Sequence, residues 1–357
     1  MSDRRNERAT VKDVAARAGV SPATVSRVLT GDYPVTATTR GRVQRAIREL
    51  DYVANAQARA LKGAGTRLVA FVMEDVTGPS FAYVAKGVEH QATAHGRLCL
   101  ICTTHGDPAR ELAVVEAMRE QRADAVILVG GGFLNDEYRA RMIQFAHALD
   151  KAGSRLVLCG RPSLGDDVPT TVVEYDNEGG AYAVTSHLLS QGHRRVAAVG
   201  LTRLDHTTSR DRLRGFTRAH EEYGVPVDET LLRAAAFTEA DGHAATRALL
   251  AERADVTAIF AATDMVAAGA YQALREAGRR VPEDVSVVGY DDIPLAANLY
   301  PPLTTVRVPT EELGRTAVRL ALNPAEKQHV VLGTHVVVRD SVAPVVVRSS
   351  AGNRLLR

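Results

Sequence analysis

The apolar positions of this chain follow two rhythms. Over the first fifty residues they recur three and four apart, so that Val11, Val14, Ala15 and Ala18 share one helical face and Val43, Ala46, Ile47 and Leu50 another. From Leu68 the pattern changes to short apolar runs separated by amphipathic stretches. Leu68 to Met73, Leu98 to Cys102 and Ala125 to Val129 read as strands, with helices near Phe81 to Ala94 and Pro108 to Arg119 between them. A similar series restarts after Asp176, through Val196 to Val199, Ala258 to Phe260 and Val285 to Val288. Alternating strand and helix implies parallel, doubly wound sheet, and two such halves facing each other enclose a cleft. The expected fold class is an all-α head followed by an α/β body of two doubly wound subdomains.

Local signals place the helices of the head. Thr10-Val11-Lys12-Asp13 is a capping box, Gly19 ends the first helix, and Ser21-Pro22 opens a second that runs to about Leu29. The short turn between them, glycine included, is that of a helix-turn-helix. A third helix follows Thr36, from about Thr38 to Leu50. Asn55 then caps a potential short helix through Lys62, and 63–66 reads as a linker.

Charge sharpens this division. The chain of 357 residues carries only +2 overall, but residues 1–67 hold 13 Lys and Arg against 6 Asp and Glu, leaving the remainder acidic. A small basic head on an acidic body points to nucleic acid. With 45% hydrophobic and 24% charged residues, the composition excludes a mainly disordered chain. Three cysteines, Cys99, Cys102 and Cys159, are too few for a disulfide framework, which fits a reducing cytoplasm. The N-terminal residues lack the apolar core of a secretory signal, and no run approaches the ~18 apolar residues of a membrane span. A cytoplasmic, nucleoid-associated protein is expected.

A helix whose first turn carries Ser21, Pro22 and Ala23, with Arg27 one turn later, suits a major groove, where arginine pairs bidentately with guanine. The twenty residues from Thr10 to Leu29, TVKDVAARAGVSPATVSRVL, resemble the signature of the lactose repressor (LacI/GalR) family of bacterial transcription regulators. The resemblance implies DNA contacts from Thr10, Ser21, Pro22, Ala23, Thr24, Ser26 and Arg27. It continues through DYVAN at 51–55 and ARAL at 58–61, similar to the family's hinge helix, and so adds Asn55, Ala58, Arg59, Leu61 and Lys62. Leu61 matches the residue that wedges open a minor-groove step, an unstacking cost that bending and added contacts offset.

In the body, AATD at 261–264, RVPEDVSVVGYDDIP at 280–294 and PLTTV at 302–306 resemble the family's effector domain, which is similar to periplasmic sugar-binding proteins. That implies two subdomains joined by three crossings, expected near Arg161 to Thr170, near Ile293 and near Asn323 to Gln328. The expected boundaries are a head at 9–54, a hinge and linker at 55–65, and a body at 66–350. Within the body, an N-subdomain spans about 66–163 and 293–324, and a C-subdomain about 164–292 and 325–348. The family's effector contacts carry over onto Ser80, Phe81, Arg161, His206, Thr208, Arg212, Phe237, Thr263 and Asp291. Phe81 can stack on a sugar face. TSRD at 208–211 reads as a cap that sets Arg212 beside a helix N-terminus. Many members have asparagine where this chain has Thr263 and an aromatic where it has Ser80.

Other chemistry is not supported. The CxxC of Cys99 and Cys102 lies in a strand, where residues three apart face opposite ways. Gly130-Gly131-Gly132 lacks phosphate-loop spacing and reads as a cleft rim. His187, His193 and His243 show no metal-ligand spacing, and no GxSxG nucleophile elbow occurs. No metal, no cofactor and no catalytic residue is expected. The reading is a homodimeric regulator, mainly a repressor, that binds a pseudo-palindromic operator in double-stranded DNA under control of a small effector, a sugar ahead of a nucleobase. The competing readings are a solute-binding protein, which has no use for residues 9–62, and an enzyme.

Overall fold

The computed structural model describes residues 9–30, 34–52, 68–202, 206–325 and 328–345. The head folds as α1 (Val11–Ala18), α2 (Pro22–Thr30) and α3 (Ala37–Glu49). The capping box forms as the sequence suggests: the Asp13 amide donates to Thr10 Oγ1 while the Thr10 amide donates to Asp13 Oδ2. Gly19 then takes the left-handed conformation, φ 62°, that ends α1 and turns the chain into α2. Val14, Ala15, Ala18, Val25, Val43 and Ala46 are buried together, with Ile47, Leu50 and Tyr52 packed around them. These are the periodic positions of all three helices.

The body begins with β1 (Leu68–Met73), α4 (Pro79–Ala94), β2 (Leu98–Thr103), α5 (Pro108–Glu120), β3 (Ala125–Val129), α6 (Asp136–Lys151), β4 (Arg155–Cys159) and β5 (Thr170–Tyr175). It continues through α7 (Asn177–Ser190), β6 (Val196–Val199), α8 (Thr207–Glu222), β7 (Leu232–Arg233), α9 (Glu239–Glu252), β8 (Ala258–Ala261), α10 (Asp264–Glu276), β9 (Ser286–Asp291), α11 (Pro294–Asn298) and β10 (Thr304–Arg307). It ends with α12 (Thr310–Leu322), β11 (His329–Leu332) and β12 (His335–Val337). Two six-stranded sheets result, ordered β11-β5-β4-β3-β1-β2 and β12-β10-β9-β8-β6-β7. All pairs are parallel except β12 with β10.

The continuous apolar runs of the inner strands are explained by burial on both faces, whereas β2, at the edge of its sheet, leaves Leu98, Leu100 and Ile101 exposed. Along β1, Val69, Phe71 and Met73 meet α4 and α12, whereas Ala70 and Val72 meet α5 and α6. In the second lobe Ala198 and Phe260 face α7 and α8, while Ala197 and Ile259 face α9 and α10. Each such fully buried large side chain contributes about 1.5–3 kcal/mol.

The sheets correct the expected crossings. Gly160 to Pro169 does not leave the first lobe, because Leu156 of β4 pairs with Thr170 of β5 in the same sheet. The connection simply lacks the usual helix. The chain crosses after Tyr175. Ile293 is likewise not a crossing, since Thr304 of β10 pairs with Val288 of β9 in the second sheet. The return comes after Arg307, and α12 then packs on α4 at two glycines: a Cβ on Gly87 would lie 2.0 Å from the Glu311 carbonyl oxygen, and one on Gly314 2.2 Å from that of Val84. The segment near Gln328 also stays in the first lobe through β11, so the last crossing is at Gly333-Thr334. The first lobe therefore comprises 68–175 and 310–332, and the second 176–307 and 335–345.

Cys99 and Cys102 lie on β2 as expected, and Cys159 is buried in β4. Among the described residues no helix is long and apolar enough to cross a membrane, and no group of His, Cys, Asp and Glu is arranged to hold a metal.

Candidate functional site

The carboxyl ends of both sheets face a shared cavity of about 450 Å³. Open parallel sheets present loops and helix starts there, making it the expected ligand position. The first lobe supplies Glu74, Asp75 and Thr77 to Phe81 after β1, His105 after β2, Gly130 and Gly131 after β3, and Tyr175 at the end of β5. The second supplies His206, Thr208 and Arg212, then Ala236 to Thr238, Thr263, Met265 and Asp291.

Arg212 is the central polar group, with 1% of its surface exposed. Its Nε donates to Asn177 Oδ1 at 2.9 Å, Nη1 donates to the Ala262 carbonyl, and Nη2 donates to Asp291 Oδ1 at 3.2 Å. The guanidinium lies over the Tyr290 ring, 3.6 Å from its centroid. A charge this deep is tolerable only because it is paired and hydrogen-bonded. Asp291 also accepts from Ser80 Oγ at 2.6 Å, a bond that joins the two lobes. Burial pushes the Asp291 carboxyl above its ordinary range, while Arg212 and Ser80 pull it back.

A second link lies at the rim. The Gly132 amide donates to Thr207 Oγ1 at 2.9 Å and the Thr207 amide donates to the Gly132 carbonyl at 3.1 Å, beside an antiparallel bridge between Phe133 and His206. Gly131 makes room for this approach, because a Cβ there would sit 2.1 Å from His206 Cε1 and the ring would have to shift. The glycine rim is a contact between lobes. Phe81 and Phe237 line the cavity from opposite lobes, and His206 meets the Phe237 ring edge-on at 6.5 Å.

Of the effector residues expected from sequence, the structure gathers Ser80, Phe81, His206, Thr208, Arg212, Phe237, Thr263 and Asp291 around one cavity. Arg161 does not line it. Its guanidinium is buried against Glu111 at 2.8 Å and Tyr138 at 3.1 Å, with Nε donating to the Gly130 carbonyl and Nη2 to that of Val129. It braces the rim from behind. The proposed cap at 208–211 is also corrected, since His206 is the N-cap of α8 and has no side-chain cap bond. Arg212 lies more than a turn inside the helix and reaches across to the ends of β8 and β9.

Glu74, Asp75, Thr77, His105, Tyr175 and Met265 were missed as lining residues. The available signal was positional: each follows or ends an apolar strand on the carboxyl side. Asp75 Oδ1 accepts from the amide and hydroxyl of Thr77, both at 2.7 Å, and these bonds hold its carboxyl below the ordinary range.

In the head, Ser21, Pro22, Ala23 and Arg27 are exposed, while Val25 is buried beneath them. Thr24 is half-buried, its amide 3.2 Å and its hydroxyl 2.9 Å from Ser21 Oγ; Ser26 is half-buried as well. Thr10 is exposed at the start of α1. The hinge residues Asn55, Ala58, Arg59, Leu61 and Lys62 lie outside the described residues.

Comparison with known proteins agrees with both units. Residues 10–55 match the family model for bacterial regulatory proteins of the lacI family, and residues 185–342 match that for a periplasmic binding protein-like domain. The chain is 36% identical to the HTH-type transcriptional regulator DegA of Bacillus subtilis (strain 168), over 94% of this chain and 98% of that protein. It is 37% identical to the regulator CelR of Thermobifida fusca, over 94% and 99%. With the HTH-type transcriptional repressor PurR of Aliivibrio fischeri (strain ATCC 700601 / ES114) it shares 34% identity over 97% and 99%. Among solved structures it is similar to a CelR–cellobiose complex, with TM-score 0.67, 36% identity, and coverage of 94% and 100%. A Lac repressor dimer bound to operator and the anti-inducer ONPF gives TM-score 0.80 and 27% identity at the same coverage. The head, the two parallel-sheet lobes and these relatives lead to one conclusion: the chain belongs to the LacI family of bacterial regulatory proteins and is an effector-controlled, DNA-binding transcriptional repressor.

Proposed function

We propose that the effector is a neutral carbohydrate held between the lobes. The observation that carries this reading is the buried Arg212–Asp291 pair at the cavity floor, with Ser80 on the same carboxylate and Phe81 and Phe237 on opposite walls. Aromatic faces and paired donors and acceptors suit a polyhydroxylated ring. The charge balance argues for neutrality. Arg212 is compensated by Asp291, and the other acidic groups at the cavity, Glu74 and Asp75, disfavour phosphates and sugar acids. Among the described lining residues Arg212 is the sole Arg or Lys. The similarity to a cellobiose-bound regulator supports the same class.

On the DNA side, the reading is a homodimer in the cytoplasm whose two heads straddle a pseudo-palindromic operator. Ala23 and Arg27 face base edges, Thr10, Ser21, Pro22, Thr24 and Ser26 lie along the groove, and the hinge from Asn55 to Lys62 enters the minor groove with Leu61 as wedge. Effector binding changes the relation of the lobes and hence of the hinges. A differential affinity of about 1–3 kcal/mol suffices for such coupling.

The test is a thermal-shift screen of neutral mono- and disaccharides, sugar phosphates and purine bases. A neutral sugar should raise Tm in the wild-type chain and not in Asp291→Asn. A shift with purine bases alone would replace the carbohydrate reading by a nucleobase one.

A further inference from the structure

The turn closing β9 carries two consecutive non-glycine residues with positive φ, Asp291 at 107° and Asp292 at 55°. Such conformations are strained for residues with a side chain and persist only where the surroundings enforce them. The enforcing groups lie away from the cavity. Asp292, with 3% of its side chain exposed, is gripped by two arginines. Arg307 approaches Oδ2 through Nε and Nη2, both at 2.5 Å, and Arg339 Nη2 donates to Oδ1 at 2.6 Å. Arg339 is itself fixed, donating from Nη1 to the Leu303 carbonyl at 2.7 Å and from its amide to Thr304 Oγ1 at 2.9 Å. One residue on, the Ile293 amide donates to Asp264 Oδ2 at 2.8 Å, and Thr305 Oγ1 donates to the other Asp264 oxygen at 2.5 Å.

The result is that neighbouring carboxylates point in different directions. Asp292 faces the two arginines, and Asp291 faces Arg212 and Ser80. Neither Arg307 nor Arg339 lines the cavity. We propose that Asp292, held by Arg307 and Arg339, is a positioning residue for Asp291: it fixes the turn that aims the Asp291 carboxylate into the cleft and at Ser80 of the other lobe. Charge-assisted bonds of this geometry are the strong ones, and a recognition group must be held within about 0.5 Å by its supporting shell. The proposal rests on the cleft reading where it takes Asp291 as an effector contact. Its test uses no effector, so the two fail separately.

The experiment measures the coupling between Ser80 and Asp291 in the full chain by scanning calorimetry. Ser80→Ala, Asp291→Ala and their combination are compared in the wild-type background and again in an Asp292→Asn background. In the wild type, the loss of Tm in the combined variant should be smaller than the sum of the two single losses, because both remove one contact. In the Asp292→Asn background the losses should become additive, since the contact is already misaligned. A purely structural Asp292 would lower every Tm and leave the coupling intact, and that result overturns the proposal. So does additivity in the wild type. Arg307→Lys keeps the charge and loses the planar fork, so it serves as a milder background should Asp292→Asn fail to fold. It should reduce the coupling, and undiminished coupling there again refutes the role.

Discussion

Asp291→Asn removes the partner of a cation that has almost no access to water. Arg212 is 1% exposed and the two side chains of the pair are 2% and 11% exposed, so solvent screening offers little relief. Removing one member of such a pair costs about 3–5 kcal/mol, against about 0–1 kcal/mol for an exposed pair. At roughly 2–4 °C per kcal/mol for a unit of this size, Tm should fall by roughly 6–20 °C. Asparagine still offers a carbonyl to Arg212 and Ser80, which places the change toward the lower end. The neutral, apolar combination Arg212→Met with Asp291→Leu should be less destabilised than Asp291→Asn, because no buried charge is left unpaired. Calorimetry and denaturant titration of the full chain provide the assay. A loss below about 1 kcal/mol for Asp291→Asn would show that the pair behaves like a surface contact, and the electrostatic account of the cavity floor would be wrong.

Burial and the nearby Asp291 hold the Asp264 carboxyl well above its ordinary value of 3.8, with Thr305 and the Ile293 amide pulling it back. The folded chain therefore takes up a proton at that group on folding in the window above 3.8, and its contribution to stability falls as pH rises toward the folded-state value. Asp264→Asn should remove this component, so the stability difference between variant and wild type should change with pH across that window; a constant difference would refute it. Gly131→Ala places a methyl against His206 and should weaken effector-dependent control while the head still binds nonspecific DNA; an unchanged response in operator titrations would show that the rim yields. Arg27→Ala should relax base preference at one position of each half-site, and an unaltered binding-site selection profile would exclude direct readout. Leu61→Ala should weaken operator binding more than nonspecific binding, and equal losses would exclude the wedge.

Much of the architecture was legible because the apolar rhythm has a direct physical cause. Helical spacing at Val14, Ala18, Val43 and Ala46 reports one small shared core, and the runs at 68–73 and 125–129 report strands covered on both faces. The crossings were not legible in the same way. A loop of ten residues between β4 and β5 with no helix looks like a passage between lobes, and only the pairing of Leu156 with Thr170 shows otherwise. Arg161 illustrates a related limit. Its partner Glu111 lies 50 positions away on α5, and nothing local distinguishes an arginine buried behind the rim from one facing a ligand. The cleft residues were found through resemblance to known repressors, whereas Glu74, Asp75 and His105 could have been found from the carboxyl-end rule alone.

The central claim is that a neutral sugar in the cleft controls operator binding through Arg212 and Asp291. It is tested most directly by titrating the operator with wild-type chain and Asp291→Asn, with and without the sugar that gives the largest thermal shift. The account predicts a change in operator affinity of about fivefold or more for the wild type and none for the variant. An equal change in both proteins, or operator binding that responds only to phosphorylated sugars or purine bases, would contradict it.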